Sequence, residues 1–246
     1  MRLTRRGVMK FLGLGALSSG AGIAGTAVDA LGAGGFYRRF SAADLPYQTD
    51  TPQRMLEKLV LGNARYMSND SISHLLSDEL RGDPTAGQNP PVMVLSCADS
   101  RVTPELAFDQ PRATLFVCRV AGNVATDEIV GSLEYGVKVL GARLLVVLGH
   151  SSCGAVAAAI SFVDGATFPP GEWGQIGPLV EVIAPAAEAT RGAPGDWLQN
   201  ATDENARLNA AYLREVDPII APLVRSGSLL VVPGRYNIGT GQVAFV

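Results

Sequence analysis

A chain of 246 residues with 47% hydrophobic content can bury a full core, and its length favours one domain over two. Charged residues make up only 17% and the formal net charge is -3. That excludes the basic footprint of a nucleic-acid binder and leaves no block of like charge to act as an interaction tail.

The N-terminus reads differently from the rest. Arg5 and Arg6 precede an apolar, Gly/Ala-rich run, FLGLGALSSGAGIAGTA, with Asp29 as its only nearby acid. A charged start, an apolar middle and a small-residue end make an export signal. The adjacent arginines and the dilution by glycine and serine resemble a twin-arginine (Tat-type) signal more than a Sec-type one. An uncleaved anchor is the alternative, but the run carries too many small polar residues to span a bilayer. Cleavage is expected after Ala27, Ala30 or Ala33. The expected layout is therefore an export signal and spacer over residues 1–35, a single domain over 36–246, and a periplasmic or secreted product that meets a membrane only during export. Losing residues 1–35 would remove four of the 20 basic residues and one of the 23 acids, so the exported protein is mildly acidic.

A helix is expected from Thr51, with threonine as cap, Pro52 in the first turn and Met55, Leu56, Leu59 and Val60 on one face. From Asn69 to Pro91 the composition suggests a helix fragment and loop. Pro91–Ser96, Thr114–Cys118 and Arg143–Gly149 are short continuous apolar runs without alternation, which fits strands covered on both faces, as in a parallel sheet. Between the last two runs, Thr126 as cap and Ile129, Leu133, Val137 and Leu140 at helical spacing predict a helix closed by Gly141. Strand, helix, strand in that order is a βαβ unit with a right-handed crossover. After His150 come a small-residue helix, a Gly/Pro-rich loop over Asp164–Pro178, and helical patterns near Ile176–Arg191 and Asp203–Val216, with Pro218 and Pro222 interrupting their continuation. Ser228–Pro233 and the closing RYNIGTGQVAFV read as strands, the latter turning at Gly239-Thr240-Gly241. The fold class is α/β.

The chain holds three cysteines, Cys97, Cys118 and Cys153, which cannot all pair within one chain. Either one bridge and one orphan exist, or at least two thiols are reserved for other work. Cys97 and Asp99 follow the first apolar run, and His150 and Cys153 follow the third, so the edge where ligands bind in open α/β sheets receives four possible donors. Two thiolates, one imidazole and one carboxylate suit tetrahedral zinc. The dipole of the helix after Cys153 would favour its thiolate. Taken singly, each cysteine would be a core residue or half a disulfide, His150 a satisfied core or cap residue, and Arg101 a surface arginine. Their convergence is what favours a metal. The set lacks the two close cysteine pairs of a structural zinc ribbon and looks like a catalytic site with a replaceable oxygen ligand. Cys118 has no such company and reads as a small buried residue.

Four stretches, CADSRVTPELAFDQ, LFVCRVAGNVA, SLEYGVKVLGARLLVVLGHSSCGAV and RYNIGTGQVAFV, together resemble the β-class carbonic anhydrases, from about Leu61 to the C-terminus. The resemblance implies a mainly parallel sheet flanked by helices, with an N-terminal helical arm and a C-terminal strand or hairpin. It implies one zinc ion per subunit, held permanently by Cys97, His150 and Cys153. Asp99 and Arg101 become the family's Asp-Arg pair: Asp99 either fills the fourth zinc position or turns to Arg101 and frees it for water. The activity implied is reversible hydration of carbon dioxide to bicarbonate through zinc-bound hydroxide, favoured at alkaline pH because two thiolates make the zinc-bound water less acidic than three imidazoles would. Gln110 stands where plant-type members bind bicarbonate, its other reading being a polar loop residue. Gly154 is a second substrate-contact candidate, allowing close backbone approach at a helix start, while Gly122 and Asn123 read as structural.

No histidine follows the Leu115–Cys118 run, and His74 lies in the poorly patterned loop, so the proton relay is unassigned. The family is at least dimeric, its helical arm wrapped on a partner, and the stripe from Met55 to Val60 fits such packing as well as packing within its own domain. Two other functions compete: hydrolysis of carbon disulfide or carbonyl sulfide on the same ligand set, and a non-catalytic zinc-stabilised module for assembly or redox sensing. The intact Asp99-Arg101 pair argues against the second, because a purely structural site has no use for a replaceable ligand.

Overall fold

In the computed structural model the described residues are 45–72 and 87–246. The export signal, its cleavage points and His74 lie outside them. Pro52–Met67 forms α1, capped by the Thr51 side chain, which accepts from Arg54 N, with Pro52 at the start where no N–H is missed. Val92–Ser96 is β1, Pro104–Ala107 the short α2, Leu115–Arg119 β2, Asp127–Lys138 α3 and Leu144–His150 β3. Gly154–Val163 is α4, Pro170–Trp173 α5, Ile176–Ala189 α6, Trp197–Glu215 α7 and Ile220–Arg225 α8. The chain closes with β4, Leu230–Tyr236, and β5, Val243–Phe245. No helix among the described residues is long and apolar enough to cross a membrane.

The sheet runs β2-β1-β3-β4-β5. Its first three pairings are parallel, and β4 pairs with β5 antiparallel through a hairpin. This is the mainly parallel, helix-flanked architecture expected, with the C-terminal hairpin in place. β1 and β3 are buried along their whole length, as continuous apolar runs require. Alternate residues serve opposite faces. Val92, Val94, Leu144, Val146 and Leu148 meet Met55 and Leu59 of α1 and Phe108. Met93, Leu95, Leu145 and Val147 meet Val130, Leu133 and Val137 of α3 and Ala206, Ala210 and Leu213 of α7. Each fully buried Val or Leu contributes about 1.5–3 kcal/mol of transfer free energy.

Several expectations change. The Thr114–Cys118 run becomes an edge strand shifted by one residue, and its Leu115, Phe116 and Val117 are only half buried. An apolar run reveals that a strand is buried, but not whether a neighbour covers its outer edge. β2 and β3 are not adjacent, since β1 lies between them, so α3 crosses over β1. α7 begins six residues before the expected Asp203, capped by Asp196, whose side chain accepts from Gln199 N. Pro222 lies inside α8 rather than interrupting a helix, and the Gly/Pro-rich loop holds α5. Thr126 precedes α3 but makes no side-chain cap bond.

The strand order has one consequence for function. From β1 the chain leaves toward β2, and from β3 it leaves toward β4, so the connections diverge at the C-terminal ends of two neighbouring strands. That divergence marks the crevice position at which ligands settle in open α/β sheets. The Met55 and Leu59 face of α1 is spent on its own sheet, both residues being fully buried, while Val60 and Leu61 stay about half exposed. Asn63, also on α1, ties three elements: Nδ2 donates to Ala107 O and Gly241 O at 2.8 Å each, and Oδ1 accepts from Val243 N at 2.8 Å. Replacing Asn63 by Ala leaves these groups unpaired and is expected to lower unfolding stability by about 3 kcal/mol, read from the urea midpoint; a loss below about 0.5 kcal/mol would show that water takes over the three bonds.

Candidate metal centre

Two strand ends build the site. After Ser96, Ala98 N donates to Val120 O and Val120 N donates to Ser96 O, so the β1–β2 ladder continues one step and holds Cys97 at the mouth of the crevice. β3 ends at His150. Ser151 and Ser152, the latter at φ 57°, turn the chain so that Cys153 becomes the N-cap of α4. The two Sγ atoms and a His150 ring nitrogen all lie within 4.8 Å of one another. All three residues are buried, His150 completely.

Which ring nitrogen faces the thiols follows from hydrogen bonding. His150 Nδ1 lies 3.0 Å from Ser151 O, and a carbonyl only accepts, so Nδ1 carries the proton. Nε2 then presents a lone pair. It is buried and has no hydrogen-bond partner among the described residues, which is costly unless something electrophilic binds it. The thiols tell the same story. Cys97 is held well below the usual thiol range, chiefly by its contact with Cys153, with smaller help from the Asp99 and Gly122 amides and against the opposing effect of burial. Cys153, on the other side of that contact, is pushed up. Ionising one thiol thus opposes ionising the other, and a cation is what would let both ionise. All three cysteines are free thiols, so the disulfide alternative is not realised. Cys118 sits in the hydrophobic core, its thiol raised by burial, as its lack of company suggested.

Asp99 reaches the same spot from the other side. Its Oδ2 stands 3.9 Å from His150 Nε2, yet both oxygens are engaged by Arg101. Oδ1 accepts from Arg101 N and Nε at 2.9 Å each, and Oδ2 accepts from Nη2 at 2.7 Å. The guanidinium holds the Asp99 carboxyl well below the usual carboxylate range, so it stays ionised. Of the two arrangements open to Asp99, the structure holds the one paired with Arg101.

Other candidates fall out differently. Gly122 N donates to Cys97 Sγ at 3.3 Å. Its φ is 71°, and a Cβ there would approach Ile183 Cδ1 to 2.4 Å, so only glycine fits. Asn123 follows it, buried and also at positive φ. A Cβ on Gly154 would meet nothing within 4 Å; the chain makes no close approach there, and the space beside Cys153 is open. Gln110 is buried against Gly62 and Phe108, with Nε2 donating to Phe108 O at 2.8 Å, and none of its described hydrogen bonds joins it to the cluster. Sequence reasoning missed Arg119, which donates from Nε to Cys97 O at 3.0 Å and from Nη2 to Asp99 O at 2.6 Å. It also missed Ser151. Neither has a motif of its own; the sheet register that sets Arg119 beside Ser96 is what gives it a role.

A family model described as Carbonic anhydrase matches residues 92–243. A relative from Mycobacterium tuberculosis, named "Carbonic anhydrase 2", is 34% identical over 181 residues, which cover 74% of this chain and 86% of that protein. Among solved structures, a β-carbonic anhydrase from Coccomyxa in complex with acetazolamide superposes with a TM-score of 0.58 at 22% identity, covering 78% of this chain and 86% of its own. One of two tetrameric β-carbonic anhydrases from Sordaria macrospora gives 0.59 at 18% identity, with 75% and 97% covered.

The donor set makes a direct prediction about metal content. Cys97→Ser, His150→Ala and Cys153→Ser should each weaken metal binding by more than the ~10–100-fold typical of losing an outer partner, measured by chelator competition. Cys118→Ala should leave the affinity unchanged.

Proposed function

The chain belongs to the β-class carbonic anhydrase family, and on that premise we propose that it catalyses the reversible hydration of carbon dioxide to bicarbonate and a proton, with one zinc ion held by Cys97, His150 and Cys153. The observation that carries this reading is the buried Nε2 of His150, which has no hydrogen-bond partner among the described residues, in a group where a His150 ring nitrogen and the Cys97 and Cys153 sulfurs lie within 4.8 Å of one another. Two sulfurs and one imidazole nitrogen are a zinc donor set, and three protein ligands leave the fourth position to chemistry. When bound there, zinc lowers the pKa of a coordinated water to about 7 and so supplies the nucleophile near neutral pH.

The chain's own residues set the conditions for attack. Arg101 takes hold of both Asp99 oxygens, and the carboxylate is thereby kept from occupying the fourth position itself. An ionised Asp99 beside His150 can accept a hydrogen bond from the attacking water and so orient its remaining lone pair toward the carbon of carbon dioxide. The open space at Gly154, whose amide begins α4, offers room and a donor for a bicarbonate oxygen. The Asp99-Arg101 pair is thus the gate: paired, it admits water; released, Asp99 closes the site.

Two wider proposals accompany this. Exposed Val60, Leu61 and Met67 of α1 and Leu106 of α2, together with the tetrameric assembly named for the Sordaria macrospora neighbours, support a homodimer or larger oligomer. The Arg5-Arg6 signal supports export in the folded state, so that zinc would protect both thiolates before an oxidising compartment is reached. Normal export of an Arg5→Lys, Arg6→Lys variant would refute the twin-arginine route.

Stopped-flow hydration of carbon dioxide on zinc-quantified protein, across about pH 6.5–9, is the central test. The rate should follow zinc occupancy and rise with pH. No hydration with zinc fully bound would overturn the proposal and turn attention to carbon disulfide and carbonyl sulfide. Arg101→Ala should retain zinc but lose roughly 10–100-fold in kcat/KM near pH 7, since charged hydrogen bonds worth about 1.5–3 kcal/mol no longer hold Asp99 away.

A further inference from the structure

Behind Cys97 lies a run of hydrogen bonds that starts on a helix far along the chain. Asn205 and Asn209 are one turn apart on α7, and both point toward the 122–125 loop. Ala125 N donates to Asn209 Oδ1 at 2.8 Å. An amide N–H only donates, so this bond settles which end of the Asn209 side chain is oxygen. Asn209 Nδ2 is then the donor to Asn205 O at 2.8 Å and to Asn205 Oδ1 at 3.2 Å. With its oxygen so engaged, Asn205 turns Nδ2 to Gly122 O, at 2.7 Å. Gly122 N in turn donates to Cys97 Sγ at 3.3 Å.

Every link has one possible direction, and the run ends on the sulfur of a candidate metal ligand. Asn205 is 2% exposed, so water does not compete for Gly122 O. Gly122 itself has little conformational resistance of its own at φ 71°, because glycine visits many backbone states. Something outside the loop must therefore hold its N–H on the sulfur. Ile183 of α6 blocks one side, and Asn205 fixes the carbonyl.

We propose that Asn205, backed by Asn209, is a positioning residue for the metal centre: by holding the Gly122 carbonyl it fixes the Gly122–Asn123 peptide and so restrains the turn that keeps the Gly122 N–H, on the preceding peptide, on the Cys97 sulfur. This rests on the zinc reading above and deepens it. An N–H donated to a metal-bound thiolate withdraws charge from the sulfur, weakens its push on the metal, and orients its remaining lone pairs. Asn205 touches neither substrate nor metal; it acts through Gly122.

The test uses cobalt(II) as the probe in place of zinc. In the wild-type protein, cobalt should give a near-ultraviolet thiolate-to-cobalt charge-transfer band. Asn205→Asp has nearly the same shape but offers an acceptor where a donor is needed, so Gly122 O is repelled and its N–H leaves the sulfur. The band should move to lower energy, because a sulfur without its donor gives up an electron more readily, and cobalt affinity near pH 7 should fall by roughly 10–100-fold, because that more basic sulfur holds a proton against the metal and is no longer oriented. Asn209→Ala should shift the band in the same direction by less. Packing alone would change the melting temperature and leave the band in place.

If folded Asn205→Asp keeps the wild-type band and affinity, the proposal is overturned. Should Asn205→Asp not fold, an unshifted band in Asn209→Ala overturns it instead. A wild-type protein with no charge-transfer band at all would overturn the metal reading itself, a result distinct from both.

Discussion

Ser151 O accepts a hydrogen bond from the Nδ1–H of His150, and much of the site depends on that single bond. It leaves Nε2 as a lone pair in a place without solvent, next to two cysteine sulfurs. Such an arrangement is poorly satisfied as a purely protein structure, since each of the three atoms is a donor to a cation rather than to another side chain. The Ser151 carbonyl is itself held in a firm frame. Ser151 N donates to Tyr236 O and Ser151 Oγ accepts from Ile238 N, so the turn after β3 is anchored to β4 and to the chain beyond it. The tautomer of a histidine at one strand end is thus controlled by the pairing of the neighbouring strand.

The sheet order explains why chemistry gathers there. Cys97 and His150 are 53 positions apart in sequence, but β1 and β3 pair in parallel with Ser96 opposite Leu148, which sets their C-terminal ends side by side. The third donor comes from the turn into α4, where the first helical amides favour thiolate but are outweighed by the neighbouring Cys97 and by burial, which push the Cys153 thiol up. Around this the protein places fixed dipoles: the Gly122 amide on Cys97, the Arg119 fork on the Cys97 and Asp99 carbonyls, and the Arg101 fork on the Asp99 carboxylate. Preorganised groups of this kind need not reorganise during reaction.

The Asp99-Arg101 pair occupies the boundary between the dry cluster and solvent. The Asp99 side chain is 17% exposed and that of Arg101 51%, so the ion pair is partly screened and its strength is moderate. Such a strength would suit the exchange proposed for Asp99. A fully buried pair would be too costly to break, and a fully exposed one too weak to keep a carboxylate from an adjacent cation. The pairing is local, since Arg101 N also donates to Asp99 Oδ1 and the two residues are two positions apart.

Much of this was legible in the sequence. The apolar runs at Val92–Ser96 and Leu144–His150 determined buried strands, and the small-residue run after Cys153 determined a helix, because burial and periodicity are local properties of a chain. The donor types at two strand ends were equally plain, as was the lack of company around Cys118. Strand order and edge exposure were not legible: the Leu115–Arg119 run is as apolar as its neighbours, and only the sheet decides that, among the described residues, no strand pairs with its outer side. The same holds for Arg119, Asn205 and Gly122. Arginine, asparagine and glycine are ordinary residues in ordinary contexts, and they gain roles only where the register of two strands and the approach of α6 and α7 bring them to Cys97. The sequence alone determined the donor chemistry, because donors are a property of side-chain type. The tertiary structure decided the protonation, orientation and partners of those donors, because hydrogen bonds between residues far apart in the chain exist only once the sheet has closed.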